Sequence, residues 1–334
     1  MKSLKYKIGI IGGAGFIGAS LARHLIKNFQ VKLLDVRPPP KNLEEAANYY
    51  YCDIRNYNEV AKGLEDVDLV IHAAIVQIPL INEKRRFGYE VNVIGTQKVC
   101  RAVEENPRVR GMILTGSWHT VGERDLKGVI DEEFGFRPDK VENRARLYAL
   151  SKIAQEAIVR FYDEISDKIY GIIRMGTVLG EGMPEKTAAN IFIENGLASN
   201  PLTPYRHSVY RPMLYVDIND VCVAFESFVK KILNNEIKKG NNSLDHIVNV
   251  LHSEPVTILE LAEIVRNAII KISDGKLKPE IRIVDKGIPA LFRESEKTLI
   301  KVDVGKASKL LGLNKLVSPK ESIERIICSK LSEV

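Results

Sequence analysis

Hydrophobic residues in the first half of the chain fall into short apolar runs separated by stretches with helical spacing. The runs predict strands over residues 6–11, 31–35, 49–52, 69–72, 112–114 and 170–173. Between them, the apolar periodicity predicts helices over residues 16–28, 57–63, 87–105 and 148–165. This alternation is typical of a parallel sheet covered by helices on both faces, so we expect an α/β protein with a doubly wound sheet.

The pattern becomes looser after residue 175. It predicts helices over residues 188–198 and 217–231, a strand over 247–250, and two capping boxes, at Thr257–Glu260 and Ser318–Glu321. We therefore expect a nucleotide-binding domain over residues 1–175 and a smaller α/β substrate-binding lobe over residues 176–334. Residues 210–250 are expected to return partly to the first domain.

Composition narrows the class of protein only a little. Hydrophobic residues make up 45% of the 334 residues and charged residues 28%, which is ordinary for a globular protein. The net charge of +6 is spread along the chain, and its densest group, residues 84–86, is interpreted as a solvated helix start. We expect no nucleic-acid partner.

No apolar run approaches the roughly 18 residues of a membrane span, and no secretory signal precedes the first strand. The expected location is the cytoplasm, with no membrane partner. The four cysteines are far apart and are interpreted as small buried residues, so no metal site is expected.

The first strand leads into Gly12-Gly13-Ala14-Gly15-Phe16-Ile17-Gly18, which opens the first helix. Glycines at this spacing let backbone N–H groups approach a pyrophosphate at the positive end of a helix. A tight turn without a ligand is the alternative, but a strand before and a helix after the motif favour binding. We expect contacts from Gly12, Gly15, Phe16, Ile17 and Gly18.

Asp35 ends the second strand, 20 residues after Gly15. A carboxylate there accepts hydrogen bonds from both hydroxyls of an adenosine ribose and repels a 2′-phosphate, which favours NAD over NADP. Arg37 complicates this prediction, because its guanidinium could pair with such a phosphate. Asp53 follows the third strand and is a candidate for the adenine amino group, with a helix N-cap as the alternative.

Tyr148 and Lys152 are four positions apart in a predicted helix, so they share one face. An ammonium beside a phenol stabilises the phenolate and lowers its pKa from about 10 toward neutrality. Such a tyrosine can remove a proton from a substrate hydroxyl as hydride leaves the same carbon. Alone the spacing is common on surface helices, but behind a Gly-rich turn it predicts catalysis.

With these motifs in this order, the chain resembles the extended short-chain dehydrogenase/reductase family, in its nucleotide-sugar epimerase/dehydratase group. The resemblance spans almost the whole chain. Besides the motifs above it rests on Cys52-Asp53-Ile54, His72-Ala73-Ala74, Asn92-Val93-Ile94-Gly95-Thr96, Ser117 five residues before Gly122, Arg174, and Arg211-Pro212-Met213-Leu214-Tyr215-Val216-Asp217.

The resemblance implies a role for each matching residue. Ser117 would bond the reacting oxygen, Tyr148 would be the general base or acid, and Lys152 would hold the nicotinamide ribose. Ile54, Ala73 and Ala74 would line NAD, Asn92 would support the helix and water network near Lys152, and Arg211 would contact an anionic part of the substrate. A homodimer formed through the helices over 87–105 and 148–165 is also implied.

Three positions depart from the family pattern. Trp118 and His119 stand where family dehydratases carry Asp-Glu, which argues against dehydration. Thr177 stands where nucleotide-sugar enzymes usually have an asparagine that helps to hold the diphosphate, and the run after Arg211 is also unusual. The changes at Thr177 and after Arg211 weaken the expectation of a nucleotide-linked sugar. The Ser117-Trp118-His119 run is similar to the Ser-Asn-His of members that oxidise free sugar acids.

Trp118, His119, Thr177 and Arg211 are therefore the candidate substrate-binding residues. The Trp118 indole could stack on a sugar and the His119 imidazole could bind a hydroxyl or carboxylate. Packing of Trp118 under a loop is an equally weighted alternative.

Three functions follow from the sequence. The leading hypothesis is an NAD-dependent sugar oxidoreductase of the epimerase type, in which a transient keto-sugar is reduced on its opposite face. The alternative is a net dehydrogenase of a free sugar or sugar acid that releases NADH. A non-catalytic NAD-sensing protein is disfavoured, because Ser117, Tyr148 and Lys152 are all present.

Overall fold

The structure, a computed structural model, describes residues 6–45 and 47–332. Its strands are β1 Lys7–Ile11, β2 Gln30–Asp35, β3 Asn48–Tyr51, β4 Leu69–His72, β5 Gly111–Ser117, β6 Gly128–Ile130, β7 Ile169–Met175, β8 Thr177–Leu179, β9 Pro212–Met213, β10 Tyr215–Asp217, β11 Ile247–Val250, β12 Val256–Thr257 and β13 Ile300–Val302. Its α-helices are α1 Phe16–Leu25, α2 Lys41–Glu44, α3 Tyr57–Gly63, α4 Leu80–Glu83, α5 Arg85–Tyr89, α6 Thr96–Glu105, α7 Arg146–Ile165, α8 Ala188–Leu197, α9 Ile218–Leu233, α10 Ile258–Ile272, α11 Gly305–Leu311 and α12 Pro319–Ser332.

Seven parallel strands form the central sheet in the order β11-β7-β5-β4-β1-β2-β3. Strand β1 lies inside the sheet and pairs with β2 on one side and β4 on the other. The connections after these neighbours go to opposite faces of the sheet, which opens a crevice at their carboxyl ends. The predicted doubly wound α/β fold is confirmed.

Apolar side chains from both faces of the sheet are buried under helices. Helices α1 and α9 pack together on one face, with Phe225 and Phe228 fully buried. Helices α3, α6 and α7 cover the other face around Val103 and Val159. The strands can be apolar at consecutive positions because neither face meets water.

The helix predicted over residues 87–105 is interrupted. Between α5 and α6 the backbone forms a π-helical segment, Glu90–Gly95. Single-turn π segments accommodate an extra residue and occur often at functional sites. Here the segment turns Asn92 inward, where it is fully buried. A Cβ on Gly95 would lie 2.6 Å from Ile54, so the segment also brings the helix close to the loop after β3.

Helices α8, α10 and α12 pack around a second apolar core. Both predicted capping boxes are present, since the hydroxyls of Thr257 and Ser318 accept bonds from the backbone N–H groups three residues later. Of the cysteines, Cys328 is exposed, contrary to the expectation from the sequence, while the others are buried.

Over residues 6–45 and 47–332, no helix is both long and apolar enough to cross a membrane.

Packing between β7 and α9 allows a direct test of the sheet–helix interface. A Cβ at Gly171 would lie 2.5 Å from the ring of Phe228, so we expect Gly171→Ala to destabilise the protein by about 1–3 kcal/mol through overpacking. Gly135→Ala is the matched control, because a Cβ there meets nothing within 4 Å. Urea unfolding of the two variants measures the difference, and equal midpoints would contradict the packing described.

Candidate active site

The Gly-rich turn connects β1 to α1 at the switch point of the sheet. Gly12 has a φ of +79°, and a Cβ there would lie 2.5 Å from the backbone nitrogen of Ala74. A Cβ on Gly18 would lie 2.2 Å from the carbonyl oxygen of Gly12. The fold therefore requires glycine at both positions, whatever ligand binds.

Gly15 is different, because the fold has room for a side chain there. A Cβ would meet only the Gly12 carbonyl oxygen at 3.3 Å and Nη2 of Arg37 at 4.0 Å. Gly15 is also the N-cap of the ten-residue helix α1 and offers no side chain to cap it. The first N–H groups of α1 thus have no side-chain cap, and such a helix start can bind a pyrophosphate.

Asp35 lies beside this turn at the end of β2. Its Oδ2 accepts a hydrogen bond from the Ala14 N–H at 3.0 Å, and its Oδ1 accepts one from the Arg37 N–H at 3.0 Å. Each carboxylate oxygen keeps a further lone pair for a ribose hydroxyl. The guanidinium of Arg37 is 67% exposed and lies 3.7 Å from the same carboxylate, so it borders this region.

The other predicted cofactor residues lie at neighbouring strand ends. Ile54 is buried, and Ala73 and Ala74 follow β4, with their backbone against Gly12. The carboxylate of Asp53 is bound by Arg55, whose hydrogen bond lowers the pKa of Asp53 against the effect of partial burial. The N-cap alternative for Asp53 is wrong, because the side chain of Asn56 caps α3.

Ser117, Tyr148 and Lys152 meet at the carboxyl end of the sheet. Ser117 is the last residue of β5, and Tyr148 and Lys152 lie in the first two turns of α7. Ser117 lies close enough to Tyr148 to lower the pKa of its phenol. The ammonium of Lys152 donates to the carbonyl of Thr115 at 2.8 Å. The arrangement can hold a hydroxyl oxygen between a serine and a tyrosine.

The predicted effect of Lys152 on Tyr148 is corrected by the structure. Burial raises the pKa of Tyr148, which is partly buried, although the neighbouring Ser117 hydroxyl lowers it in part. Burial also lowers the pKa of Lys152 to about 7, despite the nearby Glu156 carboxylate. Removal of both groups from water therefore outweighs the attraction between them that their spacing in the sequence predicted.

Asn92 occupies the place expected of it beside α7. Its Oδ1 accepts from the Val76 N–H at 2.7 Å, and its Nδ2 donates to the Val76 carbonyl and to Oγ of Ser151, both at 3.0 Å. One amide thus joins the loop after β4 to the helix turn that carries Lys152. This leaves the amide fully satisfied within the protein.

Trp118 and Thr177 are bonded to each other, with the indole N–H donating to Oγ1 of Thr177 at 3.1 Å. Trp118 is only 2% exposed and belongs to the apolar core around α8 and α10. The packing interpretation of Trp118 is therefore favoured, because the ring has almost no surface to offer a sugar. Thr177 uses its oxygen to accept the indole N–H.

Arg211 contacts two carboxylates that sequence reasoning missed. Its Nη1 lies 2.6 Å from Glu142 and 3.8 Å from Glu123, and its buried Nε has no partner among the described residues. Glu123 also lies 3.4 Å from Nε2 of His119. These residues come from separate loops, so no spacing in the sequence could reveal the cluster.

A Gly-rich turn at the switch point, an acidic residue after the second strand and a Ser–Tyr–Lys group at the same edge define an oxidoreductase of the extended short-chain dehydrogenase/reductase type. The sequence model of the NAD dependent epimerase/dehydratase family matches residues 8–238. The chain belongs to this family, which is NAD-dependent, so the enzyme class and the cofactor expected from the sequence are confirmed.

Full-length relatives agree with this assignment. A Methanocaldococcus jannaschii protein named "Putative UDP-glucose 4-epimerase" is 26% identical over 331 residues, covering 95% of this chain and 96% of the relative. The structure of the Thermus thermophilus UDP-glucose 4-epimerase in complex with NAD has a TM-score of 0.77 at 21% identity, covering 98% of this chain and 100% of that one.

A further solved structure, Bacillus cereus UDP-glucuronic acid 4-epimerase in complex with UDP-glucuronic acid and NAD, has a TM-score of 0.74 at 22% identity. It covers 97% of this chain and 99% of the other. At such identities the two structures establish the shared fold.

The carboxylate of Asp35 should decide between NAD and NADP. We expect Asp35→Ala to weaken NAD binding by about 10-fold to 100-fold, since a hydrogen bond to a charged group contributes roughly 1.5–3 kcal/mol. NADP should be affected less, because a repulsive charge is also lost. Fluorescence titration of both cofactors measures the ratio. Tighter binding of NADP than NAD by the unaltered protein would show that Arg37 dominates.

Proposed function

We propose that this protein is an NAD-dependent sugar oxidoreductase of the epimerase type. The observation that carries the proposal is that Ser117, at the end of β5, neighbours Tyr148 and lowers its pKa, with Lys152 one helical turn further along α7. The names of the full-length relatives, which are sugar 4-epimerases, support the same reaction class.

In this proposal Ser117 holds the reacting oxygen and Tyr148 takes its proton. NAD, when bound, supplies the hydride acceptor. Lys152 lies on the same helix face and would hold the nicotinamide ribose, while Asn92 keeps that turn of α7 in place through Ser151. In the return direction the bound cofactor would supply the hydride to the other face of the keto-sugar, and Tyr148 would return the proton to its oxygen.

The cofactor would lie across the carboxyl edge of the sheet. Gly12, Gly15, Phe16, Ile17 and Gly18 would contact the pyrophosphate, and Asp35 and Arg37 would border the adenosine ribose. Asp53, Ile54, Ala73 and Ala74 would surround the adenine and the middle of NAD. Residues 1–175 would form this binding domain and residues 176–334 the substrate lobe, with β11 returning to the sheet.

A cytoplasmic homodimer is the expected working form. Helices α5 and α7 and the π segment between α5 and α6 carry large exposed apolar side chains, a feature typical of contact surfaces: Tyr89, Ile94, Leu150, Phe161 and Ile165. A second copy of the chain would cover them.

A specific observation favours the second candidate, a net dehydrogenase of a free sugar or sugar acid. Thr177 occupies the position expected to help hold a diphosphate, and Arg211 the position expected to contact an anionic part of the substrate. Both are bonded within the protein, Thr177 to Trp118 and Arg211 to Glu142. A substrate without a diphosphate would leave these bonds intact.

Absorbance at 340 nm separates the two candidates. With NAD and UDP-glucose, UDP-glucuronate or free glucuronate, an epimerase should form no lasting NADH, because hydride returns to the sugar. Stoichiometric accumulation of NADH with any of these compounds would contradict epimerisation and support net oxidation.

Removal of the Tyr148 hydroxyl tests the assigned acid/base. We expect Tyr148→Phe to retain NAD binding within about 2-fold and to lose at least 100-fold in kcat, since general acid–base groups contribute about 10²–10⁴-fold. Calorimetric titration of NAD is the control for folding. Unchanged turnover would refute the proposed role.

A further inference from the structure

A series of hydrogen-bonding groups extends from the proposed catalytic residues, and two of its members, His119 and Glu123, have no part in the function proposed above. It begins at Ser117, whose Oγ lies 3.3 Å from Nδ1 of His119. The next contact in the series joins Nε2 of His119 to Oε1 of Glu123, 3.4 Å apart. Ser117, His119 and Glu123 are thus linked one after another, and Ser117 also neighbours Tyr148, whose pKa it lowers.

Local structure explains why His119 folds back toward Ser117. A 3₁₀ turn, Trp118–Val121, follows β5 directly, and the Ser117 hydroxyl caps it by accepting the His119 N–H at 3.3 Å. The His119 ring meets the Tyr148 ring edge-on, with centroids 5.7 Å apart. His119 therefore touches both members of the proposed catalytic pair.

Glu123 is set up to be a permanent carboxylate. Its side chain is 1% exposed, and although burial raises its pKa, the hydrogen bond from His119 and the charge of Arg211 lower it to about 2. Oε2 of Glu123 accepts the Glu142 N–H at 3.0 Å. An ionised carboxylate is only an acceptor, so Nε2 of His119 carries the proton and Nδ1 presents a lone pair to Ser117.

We propose that the pair His119–Glu123 accepts, through Ser117, the proton that Tyr148 must give up in order to act as a base. The substrate hydroxyl gives its proton to the Tyr148 oxygen, Tyr148 gives its own to Ser117, and Ser117 gives its own to Nδ1 of His119. The nicotinamide of NAD, when bound, would accept the hydrogen of the substrate carbon with its electron pair. One proton and one hydride are removed, and a carbonyl and an imidazolium result.

This relay rests on the proposed role of Tyr148, and it gives the Tyr148 phenol an acceptor for its proton. Burial opposes the ionisation of the Tyr148 phenol. The relay removes the phenol proton without leaving a phenolate that has no partner. The side chain of His119 is 19% exposed, against 1% for Glu123, so the proton can pass to water from His119.

The charged surroundings of His119 are defined on each side. Helix α7 and the short turn Pro138–Lys140 pack against the 3₁₀ turn, and Arg211 lies beyond Glu123. The titratable and charged groups on these elements and on the loop between them include Tyr148, Lys152, Glu156, Asp139, Lys140 and Glu142, with Arg211 and Glu123 beside them. Lys140 is paired with Asp125, and Arg211 with Glu142, which leaves Glu123 as the carboxylate that contacts the imidazole.

The first experiment needs neither cofactor nor substrate. In the protein labelled with ¹⁵N-histidine, we expect His119 to be the Nε2–H tautomer at neutral pH, with its signal identified by its loss in His119→Asn. Glu123→Gln should reduce that preference, because the carboxylate that fixes the tautomer is gone. An Nδ1–H tautomer in the unaltered protein would overturn the relay, whether or not a variant folds.

The second experiment measures kcat and KM against pH, using UDP-glucose, UDP-glucuronate and free glucuronate with NAD as probes. We expect His119→Asn, which retains a polar group near Ser117, to lose about 10-fold to 100-fold in kcat with little change in KM. Its rate of oxidation should also lose the decline at acidic pH. Glu123→Gln should shift that decline to lower pH, since imidazolium loses its carboxylate.

His24→Asn is the matched control, because His24 pairs with Glu226 on the surface between α1 and α9, away from the site. If Tyr148→Phe is inactive while His119→Asn keeps both kcat and the acidic decline, the relay is wrong and the proposed function stands. If Tyr148→Phe remains active, the proposed function itself fails.

Discussion

The buried ion pair between Arg174 and Glu156 fixes the geometry on which the active site depends. Arg174 lies on β7 and binds Glu156 of α7 through Nε and Nη2, at 2.6–3.2 Å, while its Nη1 donates to the Glu132 carbonyl. Both side chains are at most 2% exposed. Breaking such a pair from one side costs about 3–5 kcal/mol, because the remaining charge is buried without a partner.

The position of this pair gives it its importance. Arg174 is in register with Gly116, one residue before Ser117, and Glu156 lies one turn after Lys152 on α7. The pair therefore ties β7, which is paired with the strand that ends at Ser117, to the helix that carries Tyr148. The Arg174–Glu156 contact thereby sets the distance between the Ser117 and Tyr148 hydroxyls.

Much of the fold could be predicted because each strand is short, apolar and followed by a polar motif. The bounds of β4, β11 and α3 match the prediction. The break in the helix over residues 87–105 could not be predicted. It depends on Asn92 reaching Val76 and Ser151, which only tertiary structure brings near.

The candidate site could be predicted in its motifs but not in its charges. Glycines, Asp35 and the Tyr148–Lys152 spacing are local patterns, so sequence alone identifies them. Glu123 and Glu142 lie in irregular loops and matter only through Arg211 and His119. The predicted lowering of the Tyr148 pKa is wrong, because burial depends on the whole fold whereas the spacing of Tyr and Lys does not.

The π segment Glu90–Gly95 limits how this chain can evolve in length. Removing one residue there would restore ordinary helical hydrogen bonding, yet it would rotate the preceding turns by about 100° relative to α6. Asn92 would then leave its place between Val76 and Ser151. Local regularity and the anchoring of the loop after β4 are thus mutually exclusive, so this stretch should tolerate substitution at its surface positions far better than any insertion or deletion.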